Sequence, residues 1–334
     1  MQYVNTKIAG LGIYHPDNQV DNNFFVEHFG EMGTNAEKLM LKLGRKKRYL
    51  VDNHQENSIS MAVNASTEAM KNARISPDML DMIVFVTETP EYLVPTNALV
   101  LNHELGAANA NIVYDMNANC IGMIDALDNT CRYLKNNRRI KYALVVGSLL
   151  ISSIIRKDCI ITYPNIADGS AAVVIESKAE DAPAGFIDSD YFTNPSRYEL
   201  IMSPGCGFSS IFDSNIQEER KKLCWVPHEV DFFSEEWKKL ILKLLERNSL
   251  TPESIDQYFF SQFSKPDAES TLVKLGLDPD KHTFVGEQYG YTGCTSPFFA
   301  LNEAIKLNKV TEGSTVVFCS VGAGFSMSAV LFRL

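Results

Sequence analysis

One cysteine stands where sulfur chemistry would place it. Asn117-Ala118-Asn119-Cys120-Ile121-Gly122 lies between a strand pattern at 112–115 and an apolar helical segment at 124–134. A thiol at that junction meets the positive field and free backbone N–H groups of a helix amino terminus, which stabilise a thiolate. Nucleophilic acyl transfer asks for this arrangement: a sulfur of low pKa, with donors nearby for a tetrahedral oxyanion. The plain alternative is a small buried hydrophobe, the commonest role of cysteine. The other six cysteines read first as core; Cys319 falls in a strand run, Cys131 in mid-helix and Cys294 beside a glycine turn.

The elements that must position this cysteine occur twice. A helical segment at 59–73, a helix start at Ser76-Pro77 and an apolar run at 82–86 precede the strand at 112–115. The helix at 124–134 and strands at 142–147 and 170–176 complete the set. The second series is a helix at 237–247, a start at Thr251-Pro252, a strand at 257–260, a strand at 283–286, a helix at 297–307 and strands at 315–319 and 326–332. Proline after Ser or Thr opens helices, and short runs apolar on both faces fit central strands covered by helices. Two copies of one strand–helix unit predict a duplicated α/β architecture. Residues 1–179 form the half that carries Cys120, and 180–334 the other. An irregular stretch from Glu180 to about Glu219 separates them. The helices opening at Ile121 and Pro297 read as a shared core, with Gly122, Ala126 and Gly293 allowing close approach.

Composition narrows the class. The 334 residues carry 31 Lys and Arg against 41 Asp and Glu, a net charge of -10, which argues against a general nucleic-acid binder. No run of 18 apolar residues offers a membrane span, and the opening residues lack a basic segment followed by an apolar one. Seven cysteines without CxxC spacing suit reduced thiols, so a cytoplasmic location is expected. No His or Cys spacing suggests a metal site, and no GxGxxG turn suggests a dinucleotide. His54, His103 and His228 read as surface or capping residues unless folding brings them to a cleft, and His282 as part of a turn.

The whole chain resembles the thiolase-fold condensing enzymes, closest in layout to 3-oxoacyl-acyl-carrier-protein synthase III. The resemblance rests on an opening strand and turn at Ile8–Pro16, the segment Gly44-Arg45-Lys46-Lys47-Arg48, and Asn119-Cys120-Ile121-Gly122 against the usual Ala-Cys-x-Gly. It continues through Ala167-Asp168-Gly169-Ser170-Ala171-Ala172 and Gly322-Ala323-Gly324-Phe325-Ser326. It implies a five-layered α-β-α-β-α fold, with Cys120 accepting an acyl group from a coenzyme A or carrier-protein thioester. The N–H groups of Cys120 and Gly324 would form the oxyanion hole. No cofactor is tightly bound in this picture. Arg45, Lys46, Arg48 and, less directly, Arg156 would face the phosphates of the pantetheine arm or an acidic carrier, unless they are simply solvated.

Two expected groups are missing. Ser261-Gln262-Phe263-Ser264 stands where the family has His-Gln-Ala-Asn, and Tyr289-Gly290-Tyr291-Thr292 where it has Tyr-Gly-Asn-Thr. Ser261 and Tyr291 therefore replace the His and Asn that stabilise the enolate of a malonyl thioester. Thr87-Glu88-Thr89 resembles the Glu-bearing segment of hydroxymethylglutaryl-coenzyme A synthase, which implies a proton-handling role for Glu88; the alternative is a surface carboxylate at a strand end. The expectation is an atypical acyltransferase or condensing enzyme that passes its acyl group to an alcohol, amine or carbon nucleophile. The competing reading is a weakly catalytic or noncatalytic subunit supporting an active paralogue. A homodimer is the default, and a heterodimer with such a paralogue the alternative. Phe85, Leu93, Phe208 and Phe325 are candidates for the wall of an acyl tunnel.

Overall fold

A computed structural model describes residues 2–228 and 232–334. The first half runs through β1 (Tyr3–Tyr14), β2 (Gln19–Asp21), α1 (Asn22–Glu31), α2 (Glu37–Lys42), β3 (Lys47–Tyr49), α3 (Ser58–Ala73) and β4 (Met82–Val86). It continues with α4 (Asn97–Leu105), β5 (Ile112–Met116), α5 (Gly122–Asn136), β6 (Tyr142–Leu149) and β7 (Gly169–Glu180). The second comprises β8 (Gly185–Thr193), β9 (Ile201–Met202), β10 (Cys224–Trp225), α6 (Phe233–Arg247), β11 (Gln257–Phe260) and α7 (Lys265–Lys274). Then come α8 (Gly286–Tyr289), α9 (Ser296–Lys306), β12 (Thr315–Gly322) and β13 (Ser326–Arg333).

The strand order reveals the repeat. One half is ordered β5-β4-β6-β7-β1 and the other β11-β12-β13-β8. The senses repeat too. β4–β6 and β11–β12 are parallel, β6–β7 and β12–β13 antiparallel, and β7–β1 and β13–β8 antiparallel. Side chains alternate between two environments, as a pleated strand demands. Met82, Val84 and Val86 of β4, with Val316 and Phe318 of β12, enter one core shared with α5 and α9. Ile83 and Phe85 point instead to α3 and α4, and Val317 and Cys319 to α6 and α7. The layers are therefore helix, sheet, paired central helices, sheet and helix.

Two elements differ from the sequence reading. The stretch taken as irregular contains β8, whose Asp188, Ser189 and Asp190 look unlike a strand until their partners appear. Arg247 of α6 binds both aspartates, at 2.7 and 3.1 Å, and Lys243 binds Asp190 at 3.0 Å. Conversely, the strand expected at 283–286 is reduced to one bridge between Tyr258 and His282. Side chains take the place of the ladder there: Gln262 Oε1 accepts the Val285 N–H at 2.7 Å, and the Thr283 hydroxyl donates to Gln257 Oε1 at 3.2 Å.

Candidate active site

Cys120 is held by a strained turn and a close-packed helix. Asn119 adopts a left-handed φ of 53°, a conformation asparagine tolerates better than most residues, and its N–H donates to Asn117 Oδ1. α5 begins two residues beyond the cysteine. A Cβ on Gly122 would lie 2.7 Å from Val86 Cγ1, so only glycine lets this helix approach the end of β4 so closely. On the other side, a Cβ on Gly322 would lie 3.3 Å from Asn119 Cβ and 3.6 Å from Cys120 N. The Ser320 hydroxyl fixes the Cys120 carbonyl at 3.0 Å.

That approach brings Cys120 against Glu88, which follows β4 directly. The turn is set by Thr87, whose hydroxyl accepts the Thr89 N–H at 2.9 Å, while Thr89 Oγ1 accepts the Leu150 N–H at 2.9 Å. The Glu88 carboxyl and the Cys120 thiol line the same cavity, near enough that each shifts the other's titration, and Glu88 Oε1 is buried without a partner among the described residues. Burial pushes the Glu88 carboxyl up to about 7, against the opposing effect of the thiol. Removal of water is the dominant cause, as for carboxyls in apolar pockets generally.

The sulfur does not have the low pKa expected from its place before a helix. Burial, then the neighbouring Glu88 charge, push the Cys120 thiol well above its usual range, although a hydrogen bond with Tyr291 opposes them. The resting nucleophile is a thiol that needs a base. Tyr291 and Ser261 are both buried, with the serine Oγ donating to the tyrosine hydroxyl at 3.5 Å. Burial and the adjoining Cys120 sulfur raise the phenol well above its ordinary value, so it serves as a hydrogen-bond donor. Glu88, Cys120, Ser261 and Tyr291 thus line one cavity of about 60 Å³, with Ile151, Ile166, Trp225, Phe263, Val321 and Phe325 as apolar walls. Such a space admits a few water-sized groups or a short acyl chain.

Asp168 ties the segment after β3 to the segment after β6. Its carboxylate accepts the N–H groups of Val51 and Ser152 at 2.8 and 2.9 Å, and the Ser152 hydroxyl at 2.6 Å. Gly322 and Ala323 line the cavity, whereas Gly324 does not; a Cβ there would lie 3.6 Å from Tyr198 Cα, and its φ is 75°. Of the four residues expected at the wall of an acyl tunnel, only Phe325 lines this cavity. Phe85 is buried against α3 and α4, while Leu93 and Phe208 are exposed.

The basic segment needs the largest correction. Arg45 is fully buried, donating to the carbonyls of Gln262 and Phe263 at 2.7 Å each, and Arg48 is fully buried with Asn22 Oδ1 at 2.8 Å and the Pro164 carbonyl as acceptors. Desolvation lowers both guanidinium groups to about 9. They are internal straps, not phosphate contacts. Lys46 is exposed but ion-paired with Glu287, and Arg156 makes a two-pronged pair with Asp158 at 3.0 and 2.6 Å. A second cavity, of about 920 Å³, is lined by Asp21, Asp52, Glu56 and Glu91 together with Lys157. Its charge disfavours a phosphate.

Sequence reasoning missed Trp225 and Phe263 as cavity-lining residues and read His228 first as a surface residue, one of three histidines that folding could bring to a cleft. The only signal was a tryptophan followed closely by Pro227-His228 within a stretch that carried no periodicity. Among the described residues no group of three or more His, Cys, Asp or Glu is placed to hold a metal, and no helix is long and apolar enough to cross a membrane.

Comparison with known proteins agrees with this geometry. Residues 114–195 match the family 3-oxoacyl-[acyl-carrier-protein] synthase III, and residues 245–334 match its carboxy-terminal region. A beta-ketoacyl-[acyl-carrier-protein] synthase III of Wolbachia pipientis is 30% identical over 333 residues, covering 98% of both chains. One from Coxiella burnetii is 28% identical over 339 residues, covering 98% of this chain and 99% of its own. The crystal structure of 3-oxoacyl-[acyl-carrier-protein] synthase III from Aquifex aeolicus superposes with a TM-score of 0.85 at 26% identity, over 99% of this chain and 100% of that one. With its full-length match and its cysteine at the head of a central helix, this chain belongs to the 3-oxoacyl-[acyl-carrier-protein] synthase III family.

Proposed function

We propose that this protein is a thioester-dependent acyltransferase in which Cys120 carries the acyl group and Glu88 moves the proton. The observation that carries this reading is that the Glu88 carboxyl and the Cys120 thiol line one apolar cavity and shift each other's titration. A carboxyl near 7 is matched to proton transfer at neutral pH. In the first half-reaction, Glu88 takes the thiol proton as the sulfur attacks the carbonyl of an acyl-coenzyme A or acyl-carrier-protein thioester. The departing coenzyme A or carrier thiolate then recovers that proton from Glu88. The N–H groups of Cys120 and Gly324 are the proposed oxyanion donors, with Gly324 brought into play when substrate opens the small cavity.

Ser261 and Tyr291 fit acyl transfer better than malonyl decarboxylation. Their hydroxyls can orient a carbonyl, but neither supplies the imidazole and amide pair of the family motif. Losing one preorganised oxyanion donor typically costs about 3–4 kcal/mol. The acceptor is therefore something other than a plain malonyl thioester. Phosphate recognition, if used, falls to surface residues such as Lys46 after rearrangement, not to Arg45 or Arg48. A dimer through the outer edge of β5, the terminal strand of its half, suits this reading.

Intact-mass measurement after incubation with a panel of acyl-coenzyme A and acyl-carrier donors tests the proposal. A donor-dependent adduct absent from Cys120→Ala is expected. No adduct across the panel, together with tight binding to an active condensing-enzyme paralogue, would assign the chain a supporting role instead.

A further inference from the structure

We infer that His228 is a second catalytic base, serving a proton-bearing acceptor such as an alcohol or an amine. The inference rests on the acyl-transfer reading above. His228 follows β10 and lies far in sequence from the position where the family places its histidine, now Ser261. It nevertheless lines the same cavity as Cys120 and Glu88. Its ring is held on two sides, stacked on Trp225 at 5.9 Å with a 10° interplanar angle and edge-on to Phe325 at 5.5 Å.

The hydrogen bonding fixes the tautomer. Nδ1 lies 2.7 Å from the Val226 carbonyl oxygen, which can only accept, so Nδ1 carries the proton. In the neutral ring Nε2 then presents a lone pair. That atom is buried and has no hydrogen-bond partner among the described residues. A buried nitrogen left unpaired is costly unless a ligand completes it. A cavity holding a nucleophilic thiol supplies the ligand's place.

The second half-reaction then balances. An acceptor X–H gives its proton to His228 Nε2 as X bonds to the carbonyl carbon of acyl-Cys120. The C–S bond breaks, and the Cys120 sulfur recovers the proton from the imidazolium. Together with the first half-reaction, acyl-S-CoA and H–X become acyl-X and HS-CoA. Glu88 serves the leaving thiol and His228 the incoming acceptor. A malonyl-derived carbanion would not need this base, because loss of carbon dioxide generates it without removing a proton. The class of acceptor follows from that difference.

The test separates the two half-reactions. Exchange of labelled coenzyme A into acyl-coenzyme A reports acylation and its reversal alone. Decay of the acyl-Cys120 adduct in buffer, with methanol or with methylamine reports transfer to water, an alcohol or an amine. His228→Ala and His228→Gln should keep exchange within about threefold of wild type and slow decay to the preferred acceptor roughly 100-fold, in line with a lost general base. Added imidazole should restore part of that rate in His228→Ala, a recovery that a purely structural role would not give. Equal decay in wild type and both variants, or equal loss of exchange and decay without imidazole rescue, would overturn the assignment while leaving acyl transfer intact. Absence of any wild-type adduct would overturn the acyl-transfer reading and this assignment with it.

Discussion

The carboxyl of Glu88 and the thiol of Cys120 line one cavity and each shifts the other's titration, with the buried Tyr291 phenol in the same cavity. β4 delivers the acid and the start of α5 delivers the thiol. The missing side chain of Gly122 lets the two elements approach this closely. Because burial holds Cys120 as a thiol and Glu88 near neutrality, acylation depends on their joint titration.

The rate of acylation should therefore rise with pH through about 7 and level off as Glu88 becomes the carboxylate base. Glu88→Gln should slow acylation by about 10² or more and abolish that step in the profile. A stopped-flow or quenched intact-mass time course across pH 5.5–8.5, about three units around the transition, checks both.

The same group has a signature in stability. Glu88 keeps its proton up to about 7 in the folded state, whereas an unfolded glutamate releases it near 4.5. The folded chain binds more protons in that window, so this group's contribution to stability falls as pH rises from about 4.5 to about 7. Glu88→Gln should raise the melting temperature at pH 8 by roughly 2–4 °C, and the gain should vanish towards pH 4.5. Asp125, also raised to about 7 by burial, adds a slope of the same sign that this substitution leaves in place. A variant less stable than wild type at pH 8 would contradict the assigned protonation.

Restoring the family pair tests why malonyl chemistry is disfavoured. Ser261→His with Tyr291→Asn should increase decarboxylation of a malonyl thioester, measured by carbon dioxide release. Ser261→His alone should destabilise the protein by about 1–3 kcal/mol, because the larger ring would be forced against the buried phenol. No gain from the double substitution would leave the loss of activity without this explanation.

Arg45 distinguishes an internal strap from a phosphate contact. Arg45→Met should lower stability by roughly 2–4 kcal/mol, since the Gln262 and Phe263 carbonyls lose their donors. The KM for an acyl-coenzyme A donor should change less than about twofold in the folded fraction. A tenfold higher KM with unchanged stability would place the guanidinium on the cofactor after all.

Much of this organisation was legible before the structure, for definite reasons. The runs 82–86 and 257–260 become strands because their side chains are apolar on both faces, and both faces are covered. Cys120 was legible because a motif marks it. β8 was hidden by Asp188 and Asp190, whose charges are compensated by Arg132, Lys243 and Arg247, all more than 50 positions away in sequence. Arg45 and Arg48 looked like surface charge because sequence cannot show that carbonyls and Asn22 surround them. His228 could not be told from His54 and His103 for a related reason: its place in the cavity depends on Trp225, Phe325 and the folding of an aperiodic loop.

The most direct test of the central claim is a time course of intact mass for wild type, Cys120→Ala and Glu88→Gln with a short acyl-coenzyme A. A single acyl adduct on wild type, none on Cys120→Ala, and a much slower but mass-identical adduct on Glu88→Gln are predicted. An adduct that forms on Cys120→Ala, or one that forms on Glu88→Gln as fast as on wild type at pH 7.5, would contradict the account.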